Sequence, residues 1–115
     1  LLDYAATNVG NPLAAPDGRS APPALASLHG CYPNPFNPST TISYSFAREM
    51  RAEVGVYDLS GKLVARLADG VFTTGIHRLR WNGDDTAGRP QPSGVYLVRL
   101  RTDHGVAASK VTLLE

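Results

Sequence analysis

Residue types that could do chemistry are present in this sequence, but they lie apart from one another. The loop NGDDTAG, residues 82–88, carries Asp84, Asp85 and Thr86, whose oxygen atoms are ligands of the kind that Ca²⁺ prefers. The loop lacks the alternating carboxylates and the distal bidentate glutamate of a dedicated calcium loop, so we expect an Asx-type turn, with a calcium site as the alternative. We predict no metal and no other cofactor.

The single cysteine and the three histidines do not form a recognisable ligand set or catalytic set. Cys31 ends the run LHGC, which resembles a lipidation box, but a Pro/Ala-rich stretch precedes it instead of an apolar signal segment. We therefore expect a free thiol, and an intermolecular disulfide stays open. His29, His77 and His104 are far apart in sequence, and we expect His77 at the edge of the core.

Motifs for catalysis are also missing from the sequence. There is no Gly-x-Ser-x-Gly elbow, no glycine-rich phosphate loop and no pair of carboxylates at inward strand positions. We predict that the protein is not an enzyme.

Composition limits the size of the fold and the classes of partner. The 115 residues, 43% of them hydrophobic and 18% charged, are enough for one small globular domain. A net charge of +1 gives no field that would favour nucleic acid, and no apolar run approaches the roughly 20 residues of a membrane-spanning helix. Because the chain begins at Leu1 and its one methionine is Met50, we expect a fragment or a processed piece of a longer protein.

Composition also changes along the chain. The stretch AAPDGRSAPPALA, residues 14–26, is almost wholly Ala, Pro, Gly and Ser, which is typical of a semi-rigid linker. We assign residues 1–30 to a linker or the end of a preceding module, and residues 31–115 to a single domain.

From Thr40 onward, short runs of alternating apolar residues are separated by turn residues, and one turn is DLSGK, residues 58–62. The alternating residues are Ile42, Tyr44 and Phe46; Val54 and Val56; Leu63, Ala65 and Leu67; His77, Leu79 and Trp81; Tyr96, Val98 and Leu100; and Val111 and Leu113. They predict six strands between Thr40 and Leu114, and an all-β fold: a small antiparallel sandwich of the immunoglobulin or fibronectin III type, with about six to seven strands. We expect Phe46, Trp81 and Tyr96 to dominate the core.

A proline-rich run, CYPNPFNPST (residues 31–40), precedes these strands. Each proline biases the residue before it toward extended geometry, so we predict an edge strand in which Tyr32 and Phe36 plug the core. Farther along, Arg78 and Arg80 share one strand face, and Arg99 and Arg101 share another. If those strands are neighbours, they form a basic stripe, which is either a solvated face or a docking surface for an acidic partner or a lipopolysaccharide phosphate.

The ordered motifs YPNPFNPSTTISY, VYDLSGKLV, TTGIHRLRWNGDD, GRPQPSGVYLVRL and KVTLL resemble the C-terminal sorting domain of type IX secretion cargo. They are also similar to the immunoglobulin-like domain of flagellar hook-capping proteins. The first resemblance implies a non-catalytic module that the outer-membrane secretion machinery recognises after export to the periplasm. It further implies release or attachment at the cell surface, with lipopolysaccharide as a partner after processing.

The resemblance also implies site residues. The positions carried over for recognition are Lys110, Val111, Thr112, Leu113 and Leu114. The positions carried over as structural motif residues are Tyr32, Pro33, Asn34, Pro35, Phe36, Asn37, Pro38, Gly61, Trp81, Gly94 and Tyr96. The alternative interpretation is a structural assembly or spacer domain, since a shared fold does not by itself encode secretion. A carbohydrate-binding module ranks last, because aromatic residues are 8% of the chain and mostly in phase with core positions.

Overall fold

Seven strands follow one another in the part of the chain that the structure, a computed structural model, describes, residues 25–114. They are β1 (Ala26–Tyr32), β2 (Thr40–Phe46), β3 (Met50–Tyr57), β4 (Leu63–Phe72), β5 (Gly75–Trp81), β6 (Gly94–Thr102) and β7 (Gly105–Leu113). All neighbouring strands are antiparallel, in a three-stranded sheet of order β1-β2-β5 and a four-stranded sheet of order β4-β3-β6-β7. The predicted all-β sandwich is confirmed. Within residues 25–114, no helix has the length and apolarity needed to cross a membrane.

The strands form where the sequence alternates, because successive side chains of a strand point to opposite faces. In β2, Ile42, Tyr44 and Phe46 are at most 3% exposed, whereas Ser43 and Ser45 between them are only half-buried. The six strands predicted after Thr40 are all present.

The first strand, β1, begins at Ala26 rather than at Cys31, where the domain was predicted to start. The sandwich therefore includes residues that were assigned to the linker. The ladder between β1 and β2 shifts register between Leu28 and Gly30, so Leu28 and Cys31 both pack against the core although three positions separate them. This bulge breaks the period of two and hides the strand from a search for alternation. The rest of the segment that was assigned to a linker or the end of a preceding module, residues 1–24, lies outside the described residues.

The core lies between the two sheets. Its buried apolar residues are Phe36, Ile42, Tyr44, Phe46, Met50, Ala52, Val54, Val56, Ala65, Trp81, Tyr96, Val98, Leu100, Val111 and Leu113. Trp81 is fully buried, and its ring centroid lies 5.3 Å from that of Phe36 and 5.4 Å from that of Tyr96. The three residues predicted to dominate the core, Phe46, Trp81 and Tyr96, are all buried.

The predicted turn between β3 and β4 is also present. The Asp58 Oδ1 atom accepts hydrogen bonds from the Ser60 hydroxyl at 2.6 Å and from the backbone N–H groups of Ser60 and Lys62. These donors lower the pKa of Asp58, the Ser60 hydroxyl contributing most. Gly61 has a φ of 91°, a left-handed conformation that side chains other than that of glycine adopt at a cost.

Candidate functional site

The end of β7 carries the five residues predicted for recognition, and the structure divides them between two faces. Val111 is fully buried and Leu113 is 6% exposed, so both belong to the core. Lys110 is exposed, Thr112 is half-buried, and Leu114, just beyond the strand, is 49% exposed. Of the five predicted recognition residues, only Lys110, Thr112 and Leu114 therefore have side chains that can contact a partner of the folded domain.

The residues of the proline-rich run lie along the outer edge of β7. The N–H of Phe36 donates to the carbonyl oxygen of Thr112 at 2.9 Å, and the N–H of Leu114 donates to the carbonyl oxygen of Phe36 at 3.0 Å. Phe36 and Leu113 thereby form a parallel bridge. We call residues 33–38 the proline segment, and we call this segment together with residues 110–114 the C-terminal edge.

The side chain of Asn34 adds two hydrogen bonds to this pairing. The Asn34 Oδ1 atom accepts a hydrogen bond from the N–H of Thr112 at 2.9 Å, and Asn34 Nδ2 donates to the carbonyl oxygen of Lys110 at 3.1 Å. The carboxamide thus satisfies the groups that a neighbouring strand would otherwise pair with. An edge strand with free N–H and C=O groups is a template for association, so the proline segment closes this end of β7 against strand addition.

Phe36 anchors the proline segment to the core. Its side chain is 2% exposed and packs against Trp81. The hydroxyl of Thr40, which is itself buried, donates to the carbonyl oxygen of Pro33 at 2.7 Å and holds the start of the segment. Tyr32, by contrast, is 82% exposed, so the prediction that it plugs the core is wrong. Tyr32 points outward because it is opposite Thr41, an outward position of β2.

The loop after β5 lies next to Trp81 and the end of β7. The Trp81 indole N–H donates to the carbonyl oxygen of Asp84 at 2.8 Å, which satisfies its only polar atom. Gly83 has a φ of 75°, and a Cβ there would lie 3.1 Å from a methyl carbon of Leu113. Glycine at this position therefore allows the close approach of the loop to the end of β7.

Two further residues of the predicted structural motifs follow this loop. Gly94 begins β6 opposite Leu113, and Tyr96 is 5% exposed. The Tyr96 hydroxyl donates to the carbonyl oxygen of Pro92 at 2.6 Å, which fixes the approach of the chain to β6. Tyr96 is therefore part of the core, and Gly94 lies at the start of its strand.

The loop that was considered for calcium is an Asx-type turn. The Asp85 Oδ1 atom accepts hydrogen bonds from the N–H groups of Ala87 and Arg89, both at 2.9 Å, and Oδ2 contacts Arg89 Nε at 3.1 Å. The backbone N–H of Arg89, more than its guanidinium, lowers the pKa of Asp85. The carboxylate is therefore committed to the geometry of its own loop.

The predicted basic stripe does not form, because β5 and β6 lie in different sheets. Arg101 contacts Glu53, and Arg66 also pairs with Glu53, at 2.9 Å. The guanidinium carbon of Arg99 lies 4.5 Å from the centroid of the Tyr57 ring. Whether the two arginine pairs lie side by side depends on strand order, which the alternation of apolar residues along each strand does not reveal.

The cysteine and each of the three histidines have contacts of their own. Cys31 packs against the core, and desolvation raises the pKa of its thiol to about 11. His77, at the core edge as predicted, stacks on Tyr44, and its Nε2 atom lies 2.9 Å from the Thr73 carbonyl oxygen. His29 Nε2 lies 2.8 Å from Ser45 Oγ, and His104 Nε2 lies 3.3 Å from an Arg48 guanidinium nitrogen.

The side-chain pairing of Asn34 with β7 could not be predicted from the sequence. Asn34 and Lys110 are 76 positions apart, and an asparagine between two prolines is also what a plain turn would contain. The sequence signal that does exist is the aromatic residue two positions later, since Phe36 is an apolar residue within an otherwise polar and proline-rich run.

Comparison with known proteins places the fold. The sequence model of the FlgD Ig-like domain family matches residues 38–105, which is more than half of the chain. A search of curated proteins gave no significant match.

Solved structures with the same fold include dimeric latent PorU from Porphyromonas gingivalis (18% identity, TM-score 0.60, covering 84% of this chain and 10% of that one). A second is PorZ of the same organism, described as an essential bacterial surface component of the type IX secretion system (23% identity, TM-score 0.54, covering 76% of this chain and 11% of that one). A third is FlgD from P. aeruginosa (26% identity, TM-score 0.51, covering 64% of this chain and 58% of that one). The chain thus corresponds to about a tenth of the PorU and PorZ chains.

Proposed function

The chain belongs to the FlgD Ig-like domain family, and we propose that it acts through its surface, as a non-catalytic sorting module of a protein secreted by a type IX system. In this proposal, the outer-membrane secretion machinery recognises the folded module after export to the periplasm. The parent protein is then released or attached at the cell surface, with lipopolysaccharide as the partner for attachment.

The observation that carries the proposal is the C-terminal edge. Its two parts are separate motifs of the sorting-domain resemblance, and four hydrogen bonds join them: two from the backbone of Phe36 and two from the side chain of Asn34. Nearly all of this edge lies outside residues 38–105, the part that matches the FlgD Ig-like domain. A function that distinguishes this chain from the rest of the family is therefore best sought there.

The geometry also favours one mode of recognition. Strand addition needs free N–H and C=O groups, and the proline segment already uses those of Thr112. A partner would instead contact the side chains of Lys110, Thr112 and Leu114, which alternate with the buried Val111 and Leu113. Lys110 supplies a charge for an acidic contact, and Leu114 supplies an apolar one.

A fold-level likeness supports the same choice. PorZ, whose fold resembles this chain over 76% of its length, is described as a surface component of a type IX secretion system. The likeness to PorU covers 84% of the chain, whereas the likeness to FlgD covers 64%. The description of PorZ as a surface component supports a location at the cell surface for this chain.

A reporter fusion tests the proposal directly. The full chain is placed behind a periplasm-exported reporter in a host with a type IX system, and reporter activity is measured in the medium and on cells. We expect export of the reporter, and its loss when Lys110→Gln and Leu114→Ala are combined, because both side chains are exposed. The matched control is Arg48→Gln with Val106→Ala, which changes one charge and one exposed apolar residue elsewhere.

Two results would contradict the proposal. One is a reporter that stays in the periplasm although the wild-type module is intact and folded. The other is equal export of the edge variant, the control variant and the wild type, which would leave the C-terminal edge without a role in sorting.

The second candidate function is a structural assembly or spacer domain. The observation that favours it is the family match, together with the 26% identity to FlgD from P. aeruginosa. The gene context distinguishes the two: a position after a large catalytic or adhesive region favours sorting, and a flagellar operon favours assembly.

A further inference from the structure

The outer face of the three-stranded sheet carries small hydroxyl residues on β2 and arginines on β5. The register places Thr41 opposite Arg80 and Ser43 opposite Arg78. On the other side of β2, Tyr32 is opposite Thr41. All five side chains lie on the outer face, because the residues that alternate with them point into the core. We call these five residues the arginine face.

Every polar group on the arginine face can donate a hydrogen bond. The strands β1, β2 and β5, with sequences ASLHGCY, TTISYSF and GIHRLRW, contain no aspartate and no glutamate. Within residues 25–114, no ion pair and no side-chain hydrogen bond involves the guanidinium of Arg78 or that of Arg80. Among the described residues this face is therefore charged and unpartnered, and arginine forms its strongest hydrogen bonds with a carboxylate or a phosphate.

The arginines of the other sheet are placed differently. Arg66 and Arg101 both pair with Glu53, Arg51 lies 3.5 Å from an oxygen of Asp69, and Arg99 covers Tyr57. Two carboxylates on that face, those of Glu53 and Asp69, thus contact three of its arginines, whereas the strands of the three-stranded sheet carry no carboxylate. Within residues 25–114, Arg78 and Arg80 are therefore the strand arginines that contact neither a carboxylate nor an aromatic ring.

We propose that the arginine face docks an extended acidic segment of a partner protein, with carboxylates at alternate positions. Arg78 and Arg80 are two positions apart on one strand, which separates their Cα atoms by about 6.5–7 Å. An extended peptide presents the side chains of alternate residues at the same spacing of roughly 6.5–7 Å, so two carboxylates can meet two guanidinium groups. The hydroxyls of Thr41 and Ser43 donate further hydrogen bonds, and Tyr32, which is 82% exposed, adds apolar contact at one side.

An anionic membrane fits this face less well. Binding to anionic lipid is typical of clusters of about four to eight cations, and the arginine face presents two arginines. The regular strand spacing also selects an extended chain over a fluid surface. The inference is independent of the proposed sorting function, since it concerns a different face of the domain.

A titration with a defined probe tests the docking. The probe is a ten-residue peptide of alternating Glu and Thr, and its control is the same peptide with Gln in place of Glu. The full chain is titrated in low salt, and backbone NMR shifts are mapped. We expect the shifts to cluster at Ser43, Arg78 and Arg80, and we expect Arg78→Gln combined with Arg80→Gln to weaken binding by roughly tenfold or more.

The matched control is Arg51→Gln combined with Arg99→Gln, which removes the same charge from the outer face of the four-stranded sheet. It should weaken binding less than about threefold, through the general field alone. Failure of the wild type to bind the Glu peptide, or equal losses in the two double variants, would overturn the proposal.

Two more measurements separate other occupants. Binding to phosphatidylglycerol vesicles that depends on Arg78 and Arg80, without binding of the Glu peptide, would assign the face to a membrane and overturn the proposal. A dimer that the double substitution converts to a monomer would assign it to a second copy of this chain, with the same consequence. Reporter export can fail or succeed without affecting any of these results.

Discussion

Replacement of Phe36 by alanine is the most direct test of the anchor of the C-terminal edge. The Phe36 ring is 2% exposed and lies 5.3 Å from the ring of Trp81. Truncation of a buried phenylalanine costs about 3–5 kcal/mol in free energy of unfolding, through lost burial and the cavity that is left. Because a domain of this size has a total stability of roughly 5–15 kcal/mol, we expect a large loss that leaves part of the population folded.

The matched control is Tyr32→Ala, in the aromatic residue four positions earlier. Tyr32 is 82% exposed, so its removal should change the free energy of unfolding by less than about 0.5 kcal/mol. Urea unfolding followed by fluorescence suits this comparison, since Trp81 is the only tryptophan and is fully buried. Thermal unfolding should show a midpoint lowered by more than about 10 °C for Phe36→Ala.

A second measurement tests whether the edge itself opens. The N–H of Leu114 is bonded to Phe36, and that of Thr112 to Asn34, so both amides should exchange faster in Phe36→Leu, which keeps much of the buried volume. The amide of Val111 faces β6 and should change less, because neighbouring residues of a strand bond in opposite directions. Equal losses of stability for Phe36→Ala and Tyr32→Ala, or unchanged exchange at Thr112 and Leu114, would refute the account of the anchor.

Three other predictions concern single side chains. Asn34→Ala removes two solvent-accessible hydrogen bonds and should lower the free energy of unfolding in urea by about 1 kcal/mol. The control is Asn37→Ala, which should cost less than half of that, because the Asn37 side chain makes no hydrogen bond within residues 25–114. The Cys31 thiol, whose pKa is raised from 9.0 to about 11, should react with a thiol reagent roughly 100-fold more slowly in the folded chain near pH 8 than in urea; equal rates would show that burial does not control it. The folded-state pKa of Asp85 is below its usual 3.8, so the ionised carboxylate contributes stability above that pH, and this stability is lost as the pH falls through the lowered value. The variant Asp85→Asn should therefore lose less stability than the wild type when the pH is lowered from about 6 to about 3. Parallel acid-dependence curves for the two proteins would contradict that reasoning.

Alternation predicted most strands of this fold because one face of each strand is buried. Val111 and Leu113 were placed on one side by their spacing alone, and both are buried. The strand β1 was not predicted, because its bulge puts Leu28 and Cys31 on the same face at an odd separation in sequence. A period of two cannot detect a strand that contains a register shift.

The candidate site was predictable in its parts and not in its assembly. Phe36 and Tyr32 each precede or follow a proline and have similar size, so the sequence did not distinguish the buried ring from the exposed one. The arginine pairs were found correctly on outward positions, but β5 pairs with β2 and β6 pairs with β3. Contacts of this kind depend on strand order, which non-local packing decides.

The arrangement at the C-terminal edge limits how any partner can use β7. A partner strand that replaced the proline segment could form the same hydrogen bonds to Lys110, Thr112 and Leu114, so the exchange of hydrogen bonds alone would be nearly neutral. The exchange would also expose Phe36, at about 1.5–3 kcal/mol, unless the partner placed an apolar side chain of its own against Trp81. Strand exchange is therefore selective for partners with such a side chain, whereas contact with the outward side chains requires no displacement. A folded module with this edge closed is best recognised by its surface.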